Sequence, residues 1–334
     1  KNTYLGDLRW ETTGQWNVGL DLALLNNRIR LTADYYHKKT TNLLNDVEMP
    51  RSSGYTTALR NVGAIRNAGV ELQLDTRIID KAVKWDFGVN LSVNRSKVLS
   101  LSDGKDIFGS TVSNTIISDQ LNLMRIGEPM YVFYGYVEEG YDDNGQLVYK
   151  DLDGSDGITP ADKTIIGNPN PDCLLNFNTA VSYKGFTLSA FFQGSIGNDI
   201  YSLSMASAAY DYSSNANTLR EVLYNHWTPE KPDAKYPNLR QDIALKMSDR
   251  FVYDGSYMRL KNLELSYNIP CSKSRVISKA RVYVSAQNLW TITSYPFWDP
   301  DVNAKGGSTS LAQGIDASCY PGARTFTLGC RLVF

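Results

Sequence analysis

Apolar and polar residues alternate with period two along this chain, over segments of roughly 9–11 residues, the span a tilted strand needs to cross a bilayer. Nine segments carry the pattern. From Gln15 to Leu24, one face holds Trp16, Val18, Leu20, Leu22 and Leu24, and the other Gln15, Asn17, Gly19, Asp21 and Ala23. Across a short Asn26-Asn27 turn suited to a hairpin, Ile29, Leu31, Ala33 and Tyr35 oppose Arg30, Thr32, Asp34 and Tyr36. Val70, Leu72, Leu74 and Ile78 then oppose Gly69, Glu71, Gln73, Asp75 and Arg77. Trp85, Phe87, Val89, Leu91 and Val93 oppose Lys84, Asp86, Asn90, Ser92 and Asn94. Leu175, Phe177, Val181 and Tyr183 pair through Lys184-Gly185 with Phe186, Leu188, Ala190 and Phe192. The last three segments run through Leu263 to Ile269, Val282 to Ala286, and Phe326, Leu328, Cys330, Leu332 and Phe334.

The connections are unequal. Short turns at 26–27, 80–82, 184–185 and 270–279 alternate with long segments at 38–68, 95–173, 194–256 and 290–323. Periplasmic turns and extracellular loops of outer-membrane barrels differ in this way, so the pattern predicts an all-β, antiparallel transmembrane β-barrel wall. Tyr131 to Val137 also reads as a strand, but a spanning strand there would reverse the turn-and-loop parity, which places it inside an extracellular loop. Nine spanning strands is an odd number, and single-chain bacterial barrels are even, so this set is not expected to close on itself. The rest of the wall is expected before Lys1, and Phe334 is expected to be the natural C-terminus, on the periplasmic side.

Composition agrees. The chain has 21 Tyr and 25 Gly but only four Cys and two His, a mix suited to strands, turns and interfacial aromatics rather than to His- or Cys-centred catalysis. With 34 basic and 35 acidic residues the net charge is −1, which gives no electrostatic case for nucleic acid or an anionic membrane surface. No apolar run reaches the ~20 residues of a membrane helix. Cys173, Cys271, Cys319 and Cys330 lack metal or disulfide-framework spacing and read as isolated thiols. His37 and His226 lie on different loops with no partner at ligand spacing. The lumen-facing charges from Arg30 to Asp86 read as a hydrogen-bonded network inside the wall.

Two loop features carry candidate chemistry. In DLDGSDGITPAD, Asp151, Asp153, Ser155, Asp156 and Asp162 surround Gly154 and Gly157, which is similar to an alternating-oxygen Ca²⁺ loop, with the usual sixth-position Gly displaced by Asp156. A bound Ca²⁺ there would be structural. The loops are also rich in aromatics, of which Tyr134, Tyr136, Tyr210, Tyr212, Trp227 and Trp298 are singled out for contact with cargo or a protein partner, against the alternative of packing within the loops. A helix-like stretch, SLSMASAAY and then NTLREVLYNHW, is ended by the breaker-rich TPEKPDAKYPN.

Several segments resemble the SusC (RagA/SusC) family of TonB-dependent outer-membrane transporters of Bacteroidota. They are RNVGAIRNAGVELQL (60–74), DLDGSDGITPADKTIIGNPNPD (151–172), SYMRLKNLELSYNIP (256–270), ARVYVSAQNLWTIT (280–293), DPDVN (299–303) and YPGARTFTLGCRLVF (320–334). The resemblance covers nearly the whole chain, in order. It implies a 22-stranded barrel of which residues 1–334 are the C-terminal nine strands, with a plug and N-terminal domains lying upstream. It implies import of oligosaccharides or oligopeptides, a SusD-like surface lipoprotein as partner, and energy from TonB, ExbB and ExbD. Phe334, after Phe326, Leu328 and Leu332, is similar to the C-terminal signal read by the barrel-assembly machinery. The rival expectations are a self-contained outer-membrane hydrolase of ten or twelve strands and a secreted carbohydrate-binding β-sandwich. The first needs a spanning strand at 131–137 and a His-centred triad in the loops, and the second needs two apolar faces packed together.

Overall fold

The computed structural model describes all residues except 1, 5–7, 56, 102–103, 110, 213–216, 240–244, 272–275 and 303–312. Nine long strands form one antiparallel sheet: β1 (Thr12–Leu24), β2 (Ile29–Glu48), β3 (Thr57–Asp80), β4 (Val83–Leu101), β5 (Cys173–Tyr183), β6 (Phe186–Ile196), β7 (Tyr257–Ile269), β8 (Lys279–Thr293) and β9 (Thr325–Val333). Their order in the sheet is their order in the chain. Among the described residues the sheet stays open, with β1 and β9 at its edges. A short segment, Asn2–Tyr4, adds in parallel beside Thr57–Leu59.

The two faces differ as the alternation predicts. Leu20 is 52% exposed and Leu328 80%, and Val18, Leu188, Leu265 and Val284 are likewise exposed. A soluble sandwich would bury this face against a second sheet. Here it runs across adjacent strands as a continuous apolar band, whose solvent is lipid. Among the described residues no helix is long and apolar enough to cross a membrane.

Strands β2, β3 and β4 reach 20, 24 and 19 residues, longer than a bilayer requires. The segment 38–68, expected as a long loop, is therefore mostly a hairpin standing above the membrane, paired up to Glu48↔Thr57. Above the lipid the outer side chains no longer need to be apolar, so the hydrophobic alternation stops while backbone pairing continues. A bulge at Asn42, with φ 57°, absorbs the change of twist.

The other long connections fold into a roof. Val132–Gly135 belongs to a separate four-stranded sheet with Thr164–Gly167, Asn122–Met124 and Ile107–Phe108, so the Tyr131 region is part of an extracellular loop and not a spanning strand. The next loop supplies Asp199–Ser202 and two helices, α1 (Leu203–Tyr210) and α2 (Arg220–Asn225). Ser202 caps α1 by accepting from the Met205 N–H at 3.1 Å. Asp199–Ser202 also pairs with Ile315–Asp316 of the last loop. Phe133, Tyr201, Leu203, Tyr210, Tyr236, Phe251 and Ile315 form the main dry core, so the packed interior of this chain lies in its loops.

Candidate functional site

The inner face of the wall is polar and cross-linked. The Thr32 hydroxyl donates to Asp21 at 2.6 Å, Gln73 to Asp75 at 2.9 Å, and Arg77 pairs with Asp86 at 2.8 Å. Tyr36 reaches across β3 to Asn94, its Oη 3.0 Å from the amide oxygen. The intervening residue is Gly69, where a Cβ would sit 2.6 Å from that Oη, so only glycine lets the ring pass.

Where this face meets the roof there is a cavity of about 320 Å³, lined by Asn67, Ser92, Asn94, Ser96 and Leu174 of the wall and by Met130, Tyr131, Asn170, Pro171 and Gln313 of the loops. Tyr131 adopts a left-handed backbone conformation, φ 68°, which costs a non-glycine residue about 1–3 kcal/mol. Two buttressing amides hold it. Asn122 donates to the Tyr131 carbonyl at 2.8 Å and Asn170 to the Met130 carbonyl at 2.7 Å. The lining is mixed, with amides and hydroxyls beside Met130, Pro171 and Leu174, and the cavity opens where wall and roof meet. Alternation marked Asn94 and Ser92 as inward-facing, but only the folded loop brings Tyr131, Asn170 and Gln313 to them.

The roof is tied together by charge. Arg250 forms a two-pronged pair with Glu138, with side chains only 12% and 16% exposed. It also donates to Tyr210 Oη at 2.9 Å, Tyr141 Oη at 3.0 Å and the Lys235 carbonyl at 2.8 Å. Burial raises the phenol pKa of Tyr210 and Tyr141, so both stay protonated. A second latch joins Arg259 of β7 to Asp299 in the last loop, where Asp299 also accepts the Gly322 N–H at 3.2 Å.

The six aromatic candidates divide by environment. Tyr136 and Tyr210 are each 5% exposed and pack inside the roof, which removes them from direct cargo contact. The Tyr136 ring lies under Lys246 and Lys163, at 4.9 and 5.4 Å. Tyr134 is half-buried beneath Arg125, 5.1 Å from its ring centre. Tyr212 is half-buried against the core. Trp227 is half-buried on the Asp142–Gly145 turn, where a Cβ on Gly145 would lie 2.4 Å from its ring. Trp298 alone of the six is exposed, at 61%, stacked on Phe297 with ring centres 4.8 Å apart.

In the acidic loop, carboxylate oxygens of Asp151, Asp153 and Asp162 lie within 4.8 Å of one another. Asp156 is not among them. Asp162 is buried and closes the loop, accepting from the Leu152 and Asp153 N–H groups at 2.7 and 3.2 Å and from the Thr159 N–H at 2.7 Å. Those backbone bonds hold its pKa down at about 2. Asp151 and Asp153 each accept one turn N–H, from Gly154 at 2.6 Å and Ser155 at 2.8 Å, and retain an oxygen for a further partner.

Elsewhere, His37 stacks on Trp16 at 5.7 Å on the outer face, and His226 Nδ1 lies 3.0 Å from the Leu223 carbonyl at the end of α2. The four cysteines are free. Phe326, Leu328, Leu332 and Phe334 are all exposed, three of them on edge strand β9 and Phe334 directly after it.

An open antiparallel wall with an apolar outer band, a polar inner face and a folded external roof defines part of an outer-membrane β-barrel receptor. Comparison with known proteins is decisive: residues 1–289 match the family described as TonB dependent receptor-like, beta-barrel, and the chain belongs to it. A TonB-dependent receptor P3 of Formosa agariphila is 35% identical over an alignment taking in 98% of this chain and 34% of the relative. The TonB-dependent receptor SusC of Bacteroides thetaiotaomicron is 30% identical, over 98% and 32%. The solved structure of the RagAB peptide transporter superposes with a TM-score of 0.81 at 27% identity, covering 98% of this chain and 35% of that one. The chain thus spans about a third of the length of the relatives it matches. It is an outer-membrane protein of the Bacteroidota and, as a receptor of this family, not an enzyme.

Proposed function

We propose that the protein containing this chain imports a nutrient oligomer, an oligosaccharide or oligopeptide, across the outer membrane. TonB, ExbB and ExbD supply the energy, and a SusD-like lipoprotein sits over the roof. This chain contributes C-terminal barrel wall, roof and assembly signal, the last being Phe326, Leu328, Leu332 and Phe334, presented to the barrel-assembly machinery. The observation that carries the proposal is the cavity at the junction of the polar inner wall and the roof, where Asn67, Asn94 and Asn170 stand beside Met130 and Leu174 and Tyr131 is held strained at the rim. The names of two matched relatives, SusC and the RagAB peptide transporter, agree with it.

Uptake of labelled oligosaccharides and oligopeptides by cells carrying the full-length receptor tests the proposal. Asn94→Leu with Asn170→Leu is expected to abolish uptake of one cargo class while surface display persists. Unchanged uptake of both classes would falsify it. In the acidic loop we propose a structural Ca²⁺ on Asp151, Asp153 and Asp162. In its support, three carboxylates converge there, and among the described residues no salt bridge neutralises them.

A further inference from the structure

On the outside of the wall, just above the apolar band, three cations stand side by side. Lys39 of β2 is directly opposite Arg66 of β3, and Arg66 is directly opposite Lys97 of β4. Strand alternation puts all three on the lipid-facing side. Lys39 continues the face of Leu31, Ala33, Tyr35 and His37, and Arg66 that of Leu72, Val70 and Ala68. Lys97 continues the face of Leu91, Val93 and Arg95. The level is set by the Trp16–His37 stack, an interfacial anchor one position below Lys39 on that face. On a strand tilted about 45°, four residues climb roughly 10 Å, so Lys97 stands at headgroup height above Val93.

Neighbouring strands are about 4.8 Å apart, and like charges directly opposite destabilise a sheet. Among the described residues none of the three has a carboxylate partner, although in the adjacent row Arg95 is held by Asp172 at 2.8 Å. The Nε of Arg66 is buried with no acceptor. Beside the row opens a cleft of about 490 Å³ with a mixed lining, in which Lys39, Thr41, Asn42 and Ser100 stand beside Leu99 and Leu101. A like-charged row with an orphaned donor at headgroup level lacks an anion, and the mixed cleft next to it suits a sugar, whose hydroxyls are polar and whose ring faces are apolar. We infer that Lys39, Arg66 and Lys97 bind the phosphate of an anionic glycolipid in the outer leaflet, with its sugar portion in the adjoining cleft.

Native mass spectrometry of the full-length receptor from outer membranes tests this, with phosphorylated lipid A, the same lipid after dephosphorylation, and inorganic phosphate as probes. The wild type is expected to retain phosphorylated lipid A. The triple variant Lys39→Gln, Arg66→Gln, Lys97→Gln is expected to bind it about a hundredfold more weakly, three roughly fivefold contributions combined. Dephosphorylated lipid is expected to bind the wild type as weakly. Lys39→Arg with Lys97→Arg is expected to keep binding, as is Lys38→Gln on the inward face. If the triple variant does not assemble, Arg66→Gln alone, expected to weaken binding about fivefold, decides. Equal binding of the phosphorylated lipid by variant and wild type overturns the site. Displacement of the lipid by an equal concentration of inorganic phosphate overturns its assignment to a lipid.

Discussion

Arg250 and Glu138 are 112 residues apart in the chain, yet their side chains form a two-pronged ion pair inside the roof, with both charges largely withdrawn from water. The pair joins two loops that the wall strands β5 and β6 separate. A guanidinium in that setting stays charged, so removing its carboxylate leaves a buried positive charge with only phenols and a carbonyl around it.

Glu138→Ala is therefore expected to destabilise the roof by about 3–5 kcal/mol without unfolding the wall. Hydrogen exchange is the measurement. Amides around Met247 to Val252 lose protection, while those of β3 and β4 keep theirs.

The aromatic candidates make opposite predictions according to burial. Tyr210→Ala removes a ring from the roof core and is expected to cost about 3–5 kcal/mol of local stability. Trp298→Ala, at an exposed position, is expected to change stability by less than about 0.5 kcal/mol but to lower cargo uptake or lipoprotein binding several-fold. Melting and uptake measured on the same two variants check both statements.

Acid acts on the loop through Asp162. Its folded-state pKa is held below the ordinary carboxylate value, so its stabilisation is complete above pH 4 and is lost as pH falls through about 2. Pepsin is expected to cut residues 151–162 at pH 2 and to spare them at pH 4. At neutral pH, Ca²⁺ is expected to protect the same segment from a neutral protease, and Asp151→Asn with Asp153→Asn to abolish that protection. If a chelator leaves the wild-type pattern unchanged, the cation proposal fails.

The wall predicts a sidedness of substitution. Leu20→Lys, in the middle of the lipid face, is expected to cost about 2–4 kcal/mol in refolding of the full-length receptor into lipid vesicles. Gln73→Lys, on the inner face, is expected to be close to neutral. Equal costs at the two positions would contradict the assignment of faces.

Legibility of the sequence followed the solvent. Within the bilayer, lipid on one side and water on the other force strict alternation, and the nine strands were readable from pairs such as Leu20 and Asp21. Above it the constraint lapses, and the tall hairpin of β2 and β3 looked like a loop. Parity is a property of the whole chain and puts Tyr131 to Val137 in a loop, as the separate sheet around Val132–Gly135 bears out. The six aromatic residues were not separable, since Tyr210 and Trp298 differ only in what folds over them. Arg250 with Glu138, and Tyr131 with Asn94, join residues from distant segments, and local pattern carries no trace of such pairs.

The roof core draws Phe133, Tyr201 and Ile315 from three different loops, and Asn122 donates to the Gln313 carbonyl across 191 residues of chain. Each of those loops leaves the periplasm between a different pair of strands. Their shared interior can form only when all three have arrived outside, and contacts of such long sequence separation are the slowest to form. The roof can therefore close only after the strands that carry its loops are in place, and an interval separates the two events. Its length is set by the rate at which three separately delivered loops find one another.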